Sequence, residues 1–180
     1  MSLLALTDTN RWGQPAVIGA YNGNLYVLDA TANQILRYTA TPDGYGSPPE
    51  DRFSLSQQRD LRGAADMGID GAIYVVFSGG RAEKYMRGDK QPFGLDGIAQ
   101  PLQQTTAIFT DVDDEVRHVY IADPGAERVI QATKDGKFVR QFRFREGATF
   151  ARISDLHVDE GAGRLYFIAG DALYVCALPR

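Results

Sequence analysis

An aromatic residue between two aliphatic ones returns four times along the chain: Leu25-Tyr26-Val27, Ile73-Tyr74-Val75, Val119-Tyr120-Ile121 and Leu165-Tyr166-Phe167. The tyrosines are 48, 46 and 46 residues apart. A period of roughly 40–50 residues is the length of a four-stranded propeller blade. Around each tyrosine the polar and apolar positions fall in one order. An alternating apolar run comes first, from Val17 to Tyr21, Ala65 to Ile69, Ile108 to Val112 and Ile153 to Val158. A polar turn follows, at Asn22-Gly23-Asn24, Asp70-Gly71, Asp113-Asp114-Glu115 and Asp159 to Gly163. Asn-Gly and Asp-Gly supply the positive φ angles of tight hairpins. The tyrosine strand is next, and its β-branched and aromatic content suits a sheet buried on both faces.

A third strand is expected at Ile35 to Tyr38, Glu83 to Met86, Val129 to Thr133 and Leu173 to Leu178. A fourth reads clearly as Phe138 to Phe144 and faintly as Phe53 to Leu55, and in the second copy it must fall within Gly88 to Pro101. No segment sustains the apolar spacing of three and four that a long helix needs. The pattern therefore predicts an all-β chain: a β-propeller of about four blades, each a four-stranded antiparallel sheet. The blades run roughly over 11–58, 59–103, 104–149 and 150–180, with 1–10 as a closing strand.

Composition narrows what such a fold does. A chain of 180 residues with 44% apolar and 23% charged residues can build one continuous core. The net charge of −4 argues against a general nucleic-acid surface. Basic and aromatic residues do interleave between Lys134 and Arg145, but they read more simply as an outer strand with Phe inward and Arg outward. No apolar run reaches the ~18–20 residues of a membrane helix. The opening Met1-Ser2-Leu3-Leu4-Ala5-Leu6 lacks a basic n-region, so a cytoplasmic location is expected of the chain as given. Cys176 is the single cysteine and reads as a small buried hydrophobe.

In its third copy the chain resembles the NHL-type β-propeller repeat: Asp111-Val112-Asp113, Val119-Tyr120-Ile121-Ala122-Asp123, Arg128-Val129 and Lys134-Asp135-Gly136-Lys137-Phe138. The first copy echoes it with Asn24 to Asp29, Gln34-Ile35 and Asp43-Gly44. The resemblance implies a hairpin braced by the Asp that ends the second strand and the Arg that opens the third. Asp123 and Arg128 match those positions. Gln34 replaces the Arg in the first copy, and Phe77 and Ala169 replace the Asp in the second and fourth. The family usually closes with six blades, against four copies here. Closure by one chain, by two chains in an eight-bladed ring, or by blades from elsewhere is open. Exposed sheet edges favour self-association as a homo-oligomer.

Aligning Asn22, Asp70, Asp113 and Asp159 puts Ala20, Gly68, Asp111 and His157 at one level of the inner strands, and Ile18, Asp66, Phe109 and Asp155 at another. Asp66, Asp111, Asp155 and His157 are thus candidates to face a central channel. Three carboxylates and an imidazole could hold Ca²⁺ or Zn²⁺, as in propeller lactonases. No Glu-Asn-Asp set of the lactonase kind is present, so solvated or amide-capping roles are expected, with no cofactor and no metal. His118 reads as a strand-flanking polar residue, and Asp113-Asp114-Glu115 as a charged hairpin tip. The function these features suggest is a non-catalytic binding or scaffold module for a protein partner. The alternative is a metal-dependent, lactonase-like hydrolase using the channel aspartates.

Overall fold

The computed structural model describes residues 4–53, 59–112, 114–144 and 149–179. Its strands are β1 (Val17–Tyr21), β2 (Asn24–Asp29), β3 (Gln34–Tyr38), β4 (Glu50–Asp51), β5 (Ala64–Ile69), β6 (Ile73–Phe77), β7 (Arg81–Met86), β8 (Asp89–Gln91), β9 (Ala107–Phe109), β10 (His118–Asp123), β11 (Arg128–Thr133), β12 (Phe138–Phe142), β13 (Ile153–Asp159), β14 (Arg164–Ala169) and β15 (Ala172–Ala177). They form four antiparallel sheets in chain order: β1–β4, β5–β8, β9–β12 and β13–β15. The sheets follow one another about a common axis, inner strand beside inner strand, as the four blades of a β-propeller. Among the described residues helix is confined to 3-10 turns at Thr9–Arg11, Pro124–Ala126 and Phe150–Arg152. Among the described residues no helix is long and apolar enough to cross a membrane.

The tyrosine strands sit where the repeat put them because their alternate positions serve two seams at once. In β6, Ile73 and Val75 pack toward blade 1 with Tyr26, Leu28 and Ile35, while Tyr74 and Val76 pack toward blade 3 with Ile108, Val119 and Ile121. Tyr120 and Ala122 pack in the same way against Leu156, Leu165 and Phe167 of blade 4. Three apolar seams result, between blades 1 and 2, 2 and 3, and 3 and 4. Cys176 lies half-buried on the inner face of β15, against the third of them. The β1–β2 hairpin turns on Asn22 and Gly23, both at positive φ, as the Asn-Gly pair predicts.

Four expectations about strands change. The fourth strand of blade 1 is Glu50–Asp51, earlier than the 53–55 segment: Phe53 turns inward against Tyr85 instead, and residues 54 and 55 lie outside the described residues. The first strand of blade 3 ends at Phe109, leaving a longer turn before β10. A β-bulge opposite Gln131 and Ala132 sends Phe138 to the seam with blade 2 and Phe142 to the seam with blade 4, so the phenylalanines of β12 do not share a face. The expected closing strand is not formed by the described part of 1–10, and blade 4 has three strands. Leu6 and Trp12 instead roof blade 1, packing on Val27, Leu36 and Tyr38 with Tyr45 beside them. Trp12 Nε1 donates to Tyr38 Oη at 3.0 Å, and Thr7 Oγ1 to the Ser47 carbonyl at 2.8 Å.

Candidate binding surfaces

Strand pairing fixes which inner-strand residues are equivalent. The repeat tyrosines pair with Gly19, Gly68, Phe109 and His157, and the residues two places beyond the tyrosines in blades 2 and 4 pair with Asp66 and Asp155. Asp66 and Asp155 are therefore true counterparts, as are Gly68 and His157. Ile18 and Ala20 fall one residue out of the expected alignment and face the other way. Asp111 and Phe109 are two residues out, because the turn after β9 is the longer one. Asp111 lies beyond the strand, exposed, where its carboxylate accepts the Val112 amide at 2.7 Å. His157 is exposed and meets the Phe109 ring edge-on, with centroids 4.4 Å apart. Asp155 is exposed and accepts the Leu156 amide at 2.8 Å. The four candidates do not gather: among the described residues no three His, Cys, Asp or Glu side chains are placed to hold a metal ion. The channel-metal basis for a lactonase-like hydrolase is not assembled by these residues.

Asp66 alone of the four is largely buried. Its carboxylate accepts the Ile108 amide at 2.8 Å, tying the inner strand of blade 2 to that of blade 3. Loss of solvent pushes its pKa up to about 6, Asp155 nearby adds to the rise, and amide hydrogen bonds from Ile108 and Met67 work against it. The folded protein thus keeps this proton to a higher pH than the unfolded chain does. Stability falls as pH rises from about 4 to about 6. Asp66→Asn retains an acceptor for Ile108 and removes the ionisation. It is expected to flatten that slope and raise stability at pH 7 by about 2 kcal/mol, read by urea denaturation across pH. An unchanged pH profile would contradict the assignment.

Each blade receives its incoming chain differently. In blade 3, Arg128 Nε donates to Asp123 Oδ2 at 2.9 Å, with both side chains fully buried. The same guanidinium donates to the carbonyls of Gln100 and Pro101, both at 2.7 Å, and Asp123 Oδ1 accepts the amides of Gln103 and Gln104. In blade 1, Asp29 accepts the amides of Gly13 and Gln14, and Gln34 donates to the Arg11 carbonyl at 2.9 Å. Glutamine there fills the place of the arginine. Blade 2 keeps the anchor with Phe77 in place of the aspartate: Arg81 lies over the Phe77 ring at 3.7 Å and donates to the Asp60 carbonyl. In blade 4 the two positions are Ala169 and Ala172, paired in register, and neither has a polar side chain to offer.

Two polar clusters escaped sequence reasoning. At the seam of blades 3 and 4, Glu160 accepts the Arg117 amide at 3.0 Å and the Tyr120 hydroxyl at 2.9 Å, and meets His118 Nδ1 at 2.8 Å. Burial raises the Glu160 pKa, but these contacts outweigh it and leave the carboxyl below its usual value. The cluster borders an open cleft of about 530 Å³ with Arg117, Gln131 and Arg140. Between blades 1 and 2, buried Glu83 takes the Tyr85 hydroxyl, Lys90 Nζ at 2.5 Å and Arg81 at 3.3 Å. Both carboxylates serve as clasps whose partners lie around them. The basic stretch after Lys134 is likewise turned to the protein itself: Lys134 donates to the Asp111 carbonyl, Arg140 to Pro179 and Arg143 to Ala126. His118 and Glu160 are 42 residues apart, and only the repeat offset, which sets the tyrosine of one blade against the first hairpin of the next, would have paired them.

The remaining surface of note is apolar. On blade 4, the face turned away from blade 3 carries Ile168, Leu173 and Val175, which are 41%, 73% and 59% exposed. Register places Ile168 beside Leu173 and Tyr166 beside Val175. On blade 1, Ile18 is 70% exposed at the inner rim, on the face turned away from blade 2. No hydrophobic cluster among the described residues joins blade 4 to blade 1.

These features define the chain as a β-propeller of four blades, with three seams among the described residues, an uncovered face on blade 4 and an outer face of blade 1 that is roofed except at Ile18. No family model matches the sequence, and no curated protein matches it. Solved structures do resemble the fold. A catalytically inactive virginiamycin B lyase from Staphylococcus aureus, crystallised with quinupristin, superposes with a TM-score of 0.56 at 14% identity, over 91% of this chain and 55% of that one. A chain of the nidogen/laminin complex gives 0.64 at 15% identity, over 90% and 59%. The computationally designed Ika4 protein gives 0.62 at 10% identity, over 99% of both chains. This chain thus spans somewhat more than half the length of the lyase and of the nidogen/laminin chain. At these identities the likeness is one of fold.

Proposed function

We propose that the chain is a non-catalytic, NHL-like propeller module that works by binding protein, with the uncovered face of blade 4 as its contact surface. The observation that carries this reading is the row of aliphatic side chains at Ile168, Leu173 and Val175. Burying a valine, leucine or isoleucine contributes about 1.5–3 kcal/mol, so leaving three adjacent ones in water forgoes a sizeable stabilisation. An apolar patch on a regular sheet is the usual mark of a protein contact. The polar clusters support the reading from the other side, since Glu160 is consumed in holding blade 4 to blade 3 and Glu83 in ion pairs and a hydrogen bond within blade 2. The aspartate and arginine of blade 3 sit as the NHL resemblance implies, which supports the family likeness.

A photo-crosslinking amino acid at position 173, introduced in the cells that make the protein, tests the proposal. A discrete adduct is expected, with the crosslinked protein identified by mass spectrometry and the adduct lost when Val175 is also changed to Lys. Failure to form any adduct, at a position three-quarters exposed, would overturn the reading.

A further inference from the structure

We propose that the open face of blade 4 docks onto the side of blade 1 that is turned away from blade 2 in a second copy of the chain, so that two copies complete one eight-bladed ring. This rests on the protein-contact reading above and names its partner.

The three seams inside the chain show what such a junction requires. In each, the repeat tyrosine and the residue two places on share a cluster with an inner-strand residue of the next blade: Tyr26 and Leu28 with Met67, Tyr74 and Val76 with Ile108, Tyr120 and Ala122 with Leu156. All nine of these side chains are buried. Tyr166 and Ile168 are the fourth pair of that kind, and no next blade covers them. Strand pairing makes Ile18 the fourth member of the set Met67, Ile108 and Leu156, and it is the exposed one. The chain therefore carries an unmet half of the same junction on blade 4 and one unmet member of the other half, Ile18, on blade 1.

The polar contacts point the same way. Asp66 reaches across a seam to the Ile108 amide. Asp155 is the counterpart of Asp66, and Ile18 that of Ile108. Docking sets the Ile18 amide of one copy against the Asp155 carboxylate of the other. The tyrosine hydroxyls add to this: that of Tyr120 donates to Glu160 of the following blade, and that of Tyr74 lies 3.4 Å from the Lys134 carbonyl of the following blade and 3.3 Å from Asp70 of its own. The Tyr166 hydroxyl instead accepts from Arg164 of its own strand.

Blade 1 of the same copy does not fill this place: no hydrophobic cluster among the described residues joins it to blade 4. In the two-copy ring that roof becomes part of the junction, placing Leu4, itself 52% exposed, on the side that meets Leu173 and Val175. A two-fold axis makes both junctions at once and covers the open face of blade 4 in each copy. Eight blades lie within the range that propellers adopt.

Light scattering on the purified protein is expected to give twice the 19.8 kDa chain mass. Leu173→Asp and Ile18→Asp, on opposite faces, should each return the mass to one chain, with far-UV circular dichroism unchanged. Should either variant fail to fold, a second measurement decides. In a Cys176→Ala background, Ile18→Cys with Ile168→Cys and a short bismaleimide should yield a product of two linked chains. A wild-type mass of one chain, a mass above two, or a crosslinked product of single-chain mass would overturn the proposal. None of those results would touch the protein-contact reading, which falls only if position 173 finds no protein at all in the cell.

Discussion

Arg128→Ala should lower the unfolding free energy by about 3–5 kcal/mol, as expected when one partner of a buried ion pair is removed. The size of the effect follows from how much rests on a single guanidinium. It neutralises a carboxylate with no exposure, and it also satisfies the Gln100 and Pro101 carbonyls and the Gln141 side chain. With alanine, Asp123 keeps its two amide donors but stays charged and dry, and two backbone carbonyls lose a partner. The measurement is urea denaturation of variant and wild type at neutral pH. A loss below about 1 kcal/mol would mean that water reaches Asp123 once the arginine is gone, and that the pair is not sealed as drawn.

Phe167→Ala should cost a similar amount, about 3–5 kcal/mol, with the damage confined at first to one blade. Phe167 is buried in the seam between blades 3 and 4, stacked on Tyr174 with centroids 5.1 Å apart and an interplanar angle of 9°. Phe150 meets it edge-on at the same separation. Blades 2 and 3 have a seam on either side, and blade 4 has this one, without the aspartate and arginine anchor of blade 3. Hydrogen exchange should quicken across 153–177 while β2 and β3 hold their protection. Equal acceleration everywhere would show that the four blades unfold as one unit.

The placement of the blades was legible in the sequence because a strand buried on both faces has little compositional freedom. Tyr26, Tyr74, Tyr120 and Tyr166 each sit in the second strand of a sheet, at equivalent register. The alignment of the inner strands was less legible, since it was anchored on turns, and turns vary in length. β9 ends at Phe109 and β10 begins at His118, whereas Asn22 and Gly23 alone join β1 to β2. Strand pairing corrects this, moving Ile18 to the outward face and Asp111 off the strand. The fate of the N-terminal segment was hidden for another reason: Leu6 and Trp12 suit a roof as well as a strand, and only the bare face of blade 1 decides between them. The clasp at Glu160 depends on contacts between blades, which no local pattern encodes.

Cys176 gives one of these arrangements an outward sign. Its sulfur is tucked partly under β15, and burial raises the thiol pKa, so little thiolate meets solvent while blade 4 is seated on blade 3. A chain with one sulfhydryl in that position reacts faster with a soluble thiol reagent when its last blade lifts. The rate at which such a reagent releases colour then rises with any loosening of the propeller at that end, with no label engineered in.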